Sequence, residues 1–177
     1  MEFDVLGGES TGPTLRLDHE EFAYAGKFVM SRTGKAVVRE DGDLLGAVAF
    51  SADTDDERTV HLRYVTVRED RRGEGIGPRL LRFTAERLRD RYDRVVIAVN
   101  NPIAYEACYR AGFVNTGEET GMAELLLRYH PDESPGDAYS AGFAVFRERD
   151  LPPEHAAVCD RHESGTTPAV VEVPDGE

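Results

Sequence analysis

A run of glycines and arginines near the middle of the chain has the composition of an anion-binding loop. The run reads Arg71-Arg72-Gly73-Glu74-Gly75-Ile76-Gly77. Glycine lets the backbone approach a ligand closely and turn its N–H groups outward, because it has no Cβ. A helix that starts directly after the run adds a partial positive charge of about half a unit, and arginine adds bidentate hydrogen bonds to phosphate. The run therefore predicts a binding site for a diphosphate group.

Three kinds of phosphate loop could explain this run. A Walker loop requires Gly-Lys-Ser/Thr, and it is excluded because the only lysines are at positions 27 and 35. A dinucleotide fingerprint, GxGxxG, differs in its spacing and belongs on the first strand–helix unit of a domain. The third pattern, Arg/Gln-x-x-Gly-x-Gly/Ala after an apolar strand, is matched by Arg72, Gly75 and Gly77. The remaining alternative is a tight glycine turn with solvated arginines.

A histidine upstream of the run could act as a general base. An ordinary histidine has a pKa of about 6.5, which suits proton transfer near neutral pH. The alternation of a strand predicts one common face for four residues, His61, Arg63, Val65 and Val67. The alternative is a strand-end histidine that faces solvent. The acids at residues 53–57 could attract a cationic substrate, or they could form a solvated hairpin turn.

The elements around these residues predict a mixed α/β sheet with helices packed on it. Periodicity and turn residues indicate strands at 35–39, 44–50, 58–67, 95–100, 113–117 and 123–128. Apolar spacing indicates helices at 77–91, from Asn101 to about 111, and around Tyr139, Phe143 and Phe146, which would pack outside the core. The apolar run at 95–100 is typical of a buried parallel strand. Residues 15–33 suit a helix or a hairpin, and the helix is favoured.

The same pattern divides the chain into three parts. Residues 1–14 are rich in Gly, Ser and Thr and form a loose lead-in, and residues 15–148 form a single domain. Residues 149–177 form an acidic tail, of which the last fifteen residues are expected to be disordered.

Composition narrows the class of protein. The net charge is −13, which disfavours nucleic-acid binding, although residues 61–94 carry ten arginines and six acids. High acidity with two lysines suggests a halophilic source, the alternative being an acidic protein from a GC-rich genome. No long apolar run, signal peptide, CxxC pair or metal-ligand spacing is seen. We therefore expect a cytoplasmic protein without a metal site or a membrane span.

Two segments together resemble the GCN5-related N-acetyltransferase (GNAT) family over about residues 35–130. Residues 65–81 are similar to its acetyl-CoA motif, from strand through loop into helix, and residues 101–113 are similar to its second motif, which ends in Gly-Phe. The resemblance implies the acyl-CoA N-acyltransferase fold, a mostly antiparallel sheet splayed at its centre with helices on both faces. It also implies acetyl-CoA as co-substrate. The cofactor would bind to Val65, Thr66 and Val67 through the pantetheine arm, to the N–H groups of residues 72–77 through the pyrophosphate, and to Asn101.

The resemblance is weakest at the catalytic positions. Many members carry a tyrosine four residues before the closing glycine of the second motif, where this chain has Cys108, and Tyr105 lies one turn earlier. Many members also carry a glutamate base at the position of His61, eleven residues before Arg72. Cys108 could donate a proton to the leaving thiolate or be a small buried hydrophobic residue, and Tyr105 could replace it.

The sequence thus predicts an N-acetyltransferase in which a primary amine attacks acetyl-CoA directly within a ternary complex. The acceptor would be a small molecule or a peptide amine. A non-catalytic acyl-CoA sensor or partner subunit is the alternative, because the expected tyrosine is missing. A homodimer is possible through an edge strand near the C-terminus.

Overall fold

A computed structural model describes residues 1–134, 136–162 and 166–176, which contain seven β-strands and four α-helices. The strands are β1 (Glu2–Gly7), β2 (Gly34–Glu40), β3 (Asp43–Ala52), β4 (Thr59–Val67), β5 (Arg94–Val99), β6 (Phe113–Glu119) and β7 (Leu125–Tyr129). The helices are α1 (Ile76–Leu88), α2 (Pro102–Arg110), α3 (Ala138–Arg147) and α4 (Pro153–Arg161). This content confirms the α/β class that the sequence predicts. In the described part of the chain, no helix is both long and apolar enough to cross a membrane.

The chain divides into two compact units, Met1–Val95 with Glu172–Glu177, and Val96–Val171. In the first unit, β1, β2, β3 and β4 pair in that order, and each pair is antiparallel. In the second unit, β7 pairs antiparallel with β5 and with β6. The strand predicted at 95–100 forms as β5. Its pairing with β7 is antiparallel and does not test the predicted parallel pairing on its other edge.

In the first unit, α1 covers one face of the strands. Helix α1 buries Leu80, Leu81, Phe83, Ala85 and Leu88. A Cβ at Gly46 of β3 would come within 3.3 Å of the Leu80 side chain, so Gly46 lies on the face that α1 covers. The opposite face carries Ala47 and Ala49, which pack with Phe28.

The segment at residues 15–33 is irregular, and the helix predicted for it is absent. Its only regular turn is the 3₁₀ turn at Ala25–Lys27. Main-chain carbonyls of this segment bind the fully buried Lys35: the Nζ donates to Met30 O, to Thr33 O at 3.1 Å and to Thr33 Oγ1 at 2.7 Å. Buried main-chain carbonyls need hydrogen-bond donors. In this segment Lys35 of β2 is such a donor, where a helix would have used its own N–H groups.

Both chain ends make backbone contacts that their composition does not predict. The loose lead-in expected at residues 1–14 begins with β1, where Phe3 is buried and its ring lies 5.5 Å from that of Phe83. Among the last fifteen residues, 163–165 and 177 lie outside the described part. Val171 N–H donates to Arg110 O at 2.7 Å and Gly176 forms a parallel bridge with Phe3. Backbone hydrogen bonds of this kind can fix a polar segment in place even though the segment has few apolar side chains to bury.

Helix α3 forms where the sequence predicts it, but it packs inside the core of the second unit. Tyr139, Phe143 and Phe146 are fully buried, and α3 contacts α2, α4 and β6. The strands of this unit are short, so the aromatic rings of α3 supply much of its apolar volume.

Gly34 of β2 provides a test of the packing in the first unit. A Cβ at this position would overlap the Phe50 ring and approach Gly7 O to 2.7 Å. We expect Gly34→Ala to lower the free energy of unfolding by about 1–3 kcal/mol, the usual cost of overpacking, in urea titrations. Gly26→Ala is the matched control, because no atom lies within 4 Å of its Cβ position. Equal stability of the two variants would contradict this packing.

Candidate active site

The glycine run forms a loop between a short 3₁₀ turn (Glu69–Arg71) and the start of α1. Two of its glycines have left-handed backbone conformations, Gly73 at φ +86° and Gly75 at φ +75°. Residues with a Cβ rarely adopt this conformation. Gly75 is also the N-cap residue of α1, and no side chain caps the helix there.

The backbone N–H groups of residues 73–77 point away from the rest of the loop's acceptors. In the described part of the chain, no acceptor lies in hydrogen-bond position at these five N–H groups. The N–H of Arg72 differs, because it donates to Glu69 O at 3.3 Å. Pro78 has no N–H, and the helix hydrogen bonds begin with Arg79 N–H to Gly75 O at 3.4 Å. Five consecutive donors are thus available at a helix N-terminus, which is the arrangement that binds anions.

The two arginines of the loop differ in their partners. Arg71 contacts Glu40 at 3.0 Å and Glu74 at 2.9 Å, and these carboxylates raise the pKa of its guanidinium. Arg71 was expected to neutralise phosphate, but its charge is already balanced by these two acids. The exposed Arg72 has a long contact of 3.4 Å from Nε to Val67 O. Arg72 is therefore the better candidate for a phosphate contact.

Strand β4 contains one residue more than the segment of β3 that it pairs with. Ala49 lies opposite Tyr64, and the next residue, Phe50, lies opposite Leu62, so Arg63 is the extra residue of a β-bulge. A bulge reverses the alternation of side chains beyond it.

The bulge corrects the predicted face of His61. His61 lies opposite Ser51 and shares the face of Tyr64 and Thr66, whereas Val65 and Val67 lie on the other face. The structure therefore separates His61 from the two valines that the alternation placed beside it.

The carboxylate of Asp53 is the direct partner of His61. The distance from His61 Nε2 to Asp53 Oδ2 is 2.6 Å, and the two side chains are 20% and 31% exposed. Hydrogen bonds from the Asp55 N–H and then from His61 lower the pKa of the Asp53 carboxyl. The sequence identified residues 53–57 only as a cluster of acids. Counting back along the β3–β4 hairpin from His61 would have indicated the pair, because Asp53 N–H donates to Thr59 O at 2.8 Å.

In the second unit, the side chain of Asn101 caps helix α2. Asn101 Oδ1 accepts the Ala104 N–H at 2.9 Å, and its Nδ2 donates to Asn100 Oδ1 at 3.3 Å. This arrangement is typical of an N-cap. The side chain that was expected to contact a cofactor is therefore engaged in the helix.

Tyr105 and Cys108 are both inside the second unit. Tyr105 is fully buried, and its hydroxyl oxygen lies 2.9 Å from the carbonyl oxygens of Ala138 and Tyr139. Its ring stacks on that of Tyr139 at 5.7 Å. Burial raises the pKa of the Tyr105 hydroxyl and of the Cys108 thiol. Neither side chain is exposed to solvent. Both residues that the sequence suggests as proton donors therefore contribute to the packing of this unit.

Comparisons with known proteins define the class. The model of the Acetyltransferase (GNAT) family matches residues 9–113, more than half of the chain. The chain therefore belongs to the acetyltransferase (GNAT) family, as the two motifs indicated. No curated protein sequence matches the chain.

Three solved structures illustrate the likeness. The chain is similar to smu.2055 from Streptococcus mutans UA159, with 16% identity, 75% of this chain and 100% of that chain covered, and a TM-score of 0.53. It is similar to nourseothricin acetyltransferase, with 25% identity, 55% and 64% coverage and a TM-score of 0.47. A GNAT family acetyltransferase from Elizabethkingia anophelis with acetyl-CoA bound gives 18% identity, 55% and 76% coverage and a TM-score of 0.46. The chain spans less than two thirds of the nourseothricin enzyme.

Metal ligands are not clustered in the described residues. No group of three or more His, Cys, Asp or Glu side chains within residues 1–134, 136–162 and 166–176 could hold a metal ion.

A substitution at Tyr105 tests whether its hydroxyl stabilises the fold. We expect Tyr105→Phe to lower the free energy of unfolding by about 1–2 kcal/mol, because it removes a buried donor and leaves buried carbonyls without it. Urea denaturation measures this loss. Tyr24→Phe is the control, since Tyr24 is 58% exposed. A Tyr105→Phe protein of unchanged stability but with much slower acetyl transfer would instead identify the hydroxyl as a proton donor.

Proposed function

We propose that this protein is an acetyl-CoA-dependent N-acetyltransferase that acts on a primary amine. The observation that carries the proposal is the row of five backbone donors at residues 73–77, directly before helix α1. Membership of the GNAT family supports the same donor substrate. The acceptor is a small molecule or a peptide amine.

The cofactor contacts we propose are mostly made by the backbone. Gly73, Glu74, Gly75, Ile76 and Gly77 hold the pyrophosphate through their N–H groups, and Arg72 adds a charged contact. The backbone of Val65–Val67 binds the pantetheine arm in the manner of an added strand. Asn101 is given no cofactor contact in this proposal, because its side chain caps α2. Arg71 supports the loop through Glu74 and is not a direct phosphate ligand in this proposal.

The chemistry requires two proton transfers. An amine with a pKa of about 10 is protonated at neutral pH, so a base must first remove one proton. The neutral amine then attacks the thioester carbonyl carbon, a C–N bond forms and the C–S bond breaks. The nitrogen loses a second proton, and one proton ends on the CoA thiolate. We assign His61 as the base that accepts the amine proton.

We place the acceptor on the face of β4 that carries His61 and Tyr64. A groove of about 470 Å³ in the first unit is lined by residues of the segment 19–30. Tyr24 in this groove lies 6.0 Å from the Tyr64 ring, and it is 58% exposed. Lys27, which also lines the groove, already places its Nζ 5.5 Å from the Tyr64 ring centroid. The exposed Tyr24 ring therefore offers the aromatic face for a cationic amine.

The loop assignment is tested by Gly75→Val. Valine is strained at a positive φ, so the substitution changes the backbone geometry that aims the N–H groups. We expect the Kd for acetyl-CoA to rise at least tenfold, or about 1.4 kcal/mol, in isothermal titration calorimetry. Gly42→Val is the matched control, because Gly42 has φ +88° in the β2–β3 turn with no atom within 4 Å of its Cβ position. Unchanged affinity in Gly75→Val would overturn the loop assignment.

The base is tested by His61→Ala. We expect kcat to fall about 10²-fold, the usual contribution of a positioned base, with the Kd for acetyl-CoA unchanged. His130→Ala, with a side chain 50% exposed in the second unit, is the control. A variant that keeps the wild-type kcat would exclude His61.

The same assays separate catalysis from sensing. The buried hydroxyl of Tyr105 and the buried thiol of Cys108 favour a second candidate, a non-catalytic acyl-CoA sensor. Binding of acetyl-CoA without turnover of any amine in a broad panel would support the sensor and overturn the enzyme.

A further inference from the structure

We propose that Asp53 is the positioning residue of His61, and that it makes Nδ1 the ring nitrogen that accepts the amine proton. This inference rests on the proposed function, in which His61 is the base. It goes further by assigning a role to an acid outside both sequence motifs and by naming the reacting atom. The pair occurs within the first unit, at the end of the β3–β4 hairpin where the turn at residues 53–58 joins the two strands.

The turn that carries Asp53 is fixed by its own hydrogen bonds. Asp53 Oδ1 accepts the Asp55 N–H at 2.9 Å, and the Asp53 N–H donates to Thr59 O at 2.8 Å. At the other end of the turn, Asp56 Oδ2 accepts from Thr59 Oγ1 at 2.7 Å and from Arg94 at 2.8 Å. The second oxygen of Asp53 therefore stays in place opposite the His61 ring.

The protonation of the pair follows from its geometry. Asp53 carries a carboxylate at neutral pH, and an ionised carboxylate can only accept a hydrogen bond. The nitrogen at 2.6 Å from it, His61 Nε2, must then carry the hydrogen. In neutral imidazole the other nitrogen, Nδ1, keeps its lone pair.

Proton transfer from the amine then turns the hydrogen-bonded His61 and Asp53 side chains into an ion pair. The proton moves from the amine nitrogen to Nδ1 and forms an imidazolium, whose positive charge lies beside the Asp53 carboxylate. Arg63, on the neighbouring bulge, donates to Ser51 Oγ at 2.8 Å and does not share the Asp53 oxygens. Asp53 does not take up the proton itself. It orients the ring and stabilises the charge.

The experiment compares Asp53→Asn with Asp55→Asn. Both substitutions remove one negative charge from the same turn. In the part of the chain that the structure describes, the His61 ring binds Asp53 and makes no hydrogen bond with the Asp55 side chain. Asparagine at 53 can still accept the Asp55 N–H, while its amide N–H₂ faces Nε2 and favours the tautomer with hydrogen on Nδ1. The readouts are the imidazole ¹⁵N shifts of His61, assigned by comparison with His61→Ala, and kcat with the Kd for acetyl-CoA.

We expect the wild type and Asp55→Asn to hold the hydrogen on Nε2. Asp53→Asn should move this hydrogen to Nδ1 and lower kcat about 10²-fold without changing the Kd for acetyl-CoA. Asp53→Glu should restore part of the Nε2 tautomer population and part of kcat. An unchanged His61 tautomer in Asp53→Asn would overturn the inference whatever the activity. A wild type with the expected tautomer that acetylates no amine would support the Asp53–His61 pairing and overturn the proposed function instead.

Discussion

Strand β4 joins both halves of the proposed chemistry, and its arrangement depends on one extra residue. No residue of β3 lies opposite Arg63 in the strand register, so the side chains before Arg63 are shifted by one position relative to those after it. Without the bulge, His61 would share a face with Val65 and Val67. With it, His61 lies on the face of Tyr64 and beside Asp53. The bulge thus lets one strand present the backbone proposed to bind the cofactor at one end and a polar pair at the other.

Helix α2 shows the opposite case, in which polar groups that could do chemistry are used for folding. The Tyr105 hydroxyl binds the main chain at the start of α3, and the Asn101 side chain caps α2. A Cβ at Gly142 of α3 would overlap the Tyr105 ring, so this glycine provides the space for it. A group held in this way cannot approach a ligand unless α3 moves. We therefore base the proposed chemistry on the first unit, with no side-chain proton donor for the thiolate.

Local features were predictable from the sequence, and features that depend on distant pairing were not. The hairpin, helix α1 and the loop follow from alternation, helical spacing and glycine positions within about ten residues of each other. The bulge at Arg63 is a property of two paired strands, and alternation in one strand cannot reveal it. Arg71 binds Glu40 from a different hairpin. This contact joins two residues whose proximity exists only after folding.

The backbone N–H groups of residues 73–77 account for anion binding by the glycine loop better than the charge of its arginines does. Five of the ten arginines in residues 61–94 lie within 3.9 Å of a carboxylate, namely Arg68, Arg71, Arg82, Arg89 and Arg94. In a chain of net charge −13, acids engage half of these arginines, so the local excess of arginine overstates the positive field. Backbone N–H groups cannot rotate toward those acids, because the conformations of Gly73 and Gly75 fix them. Arg79 strengthens the arrangement by donating to Gly75 O and Glu74 O at 3.2 Å. An acidic protein can in this way retain an anion site whose donors its own carboxylates do not occupy.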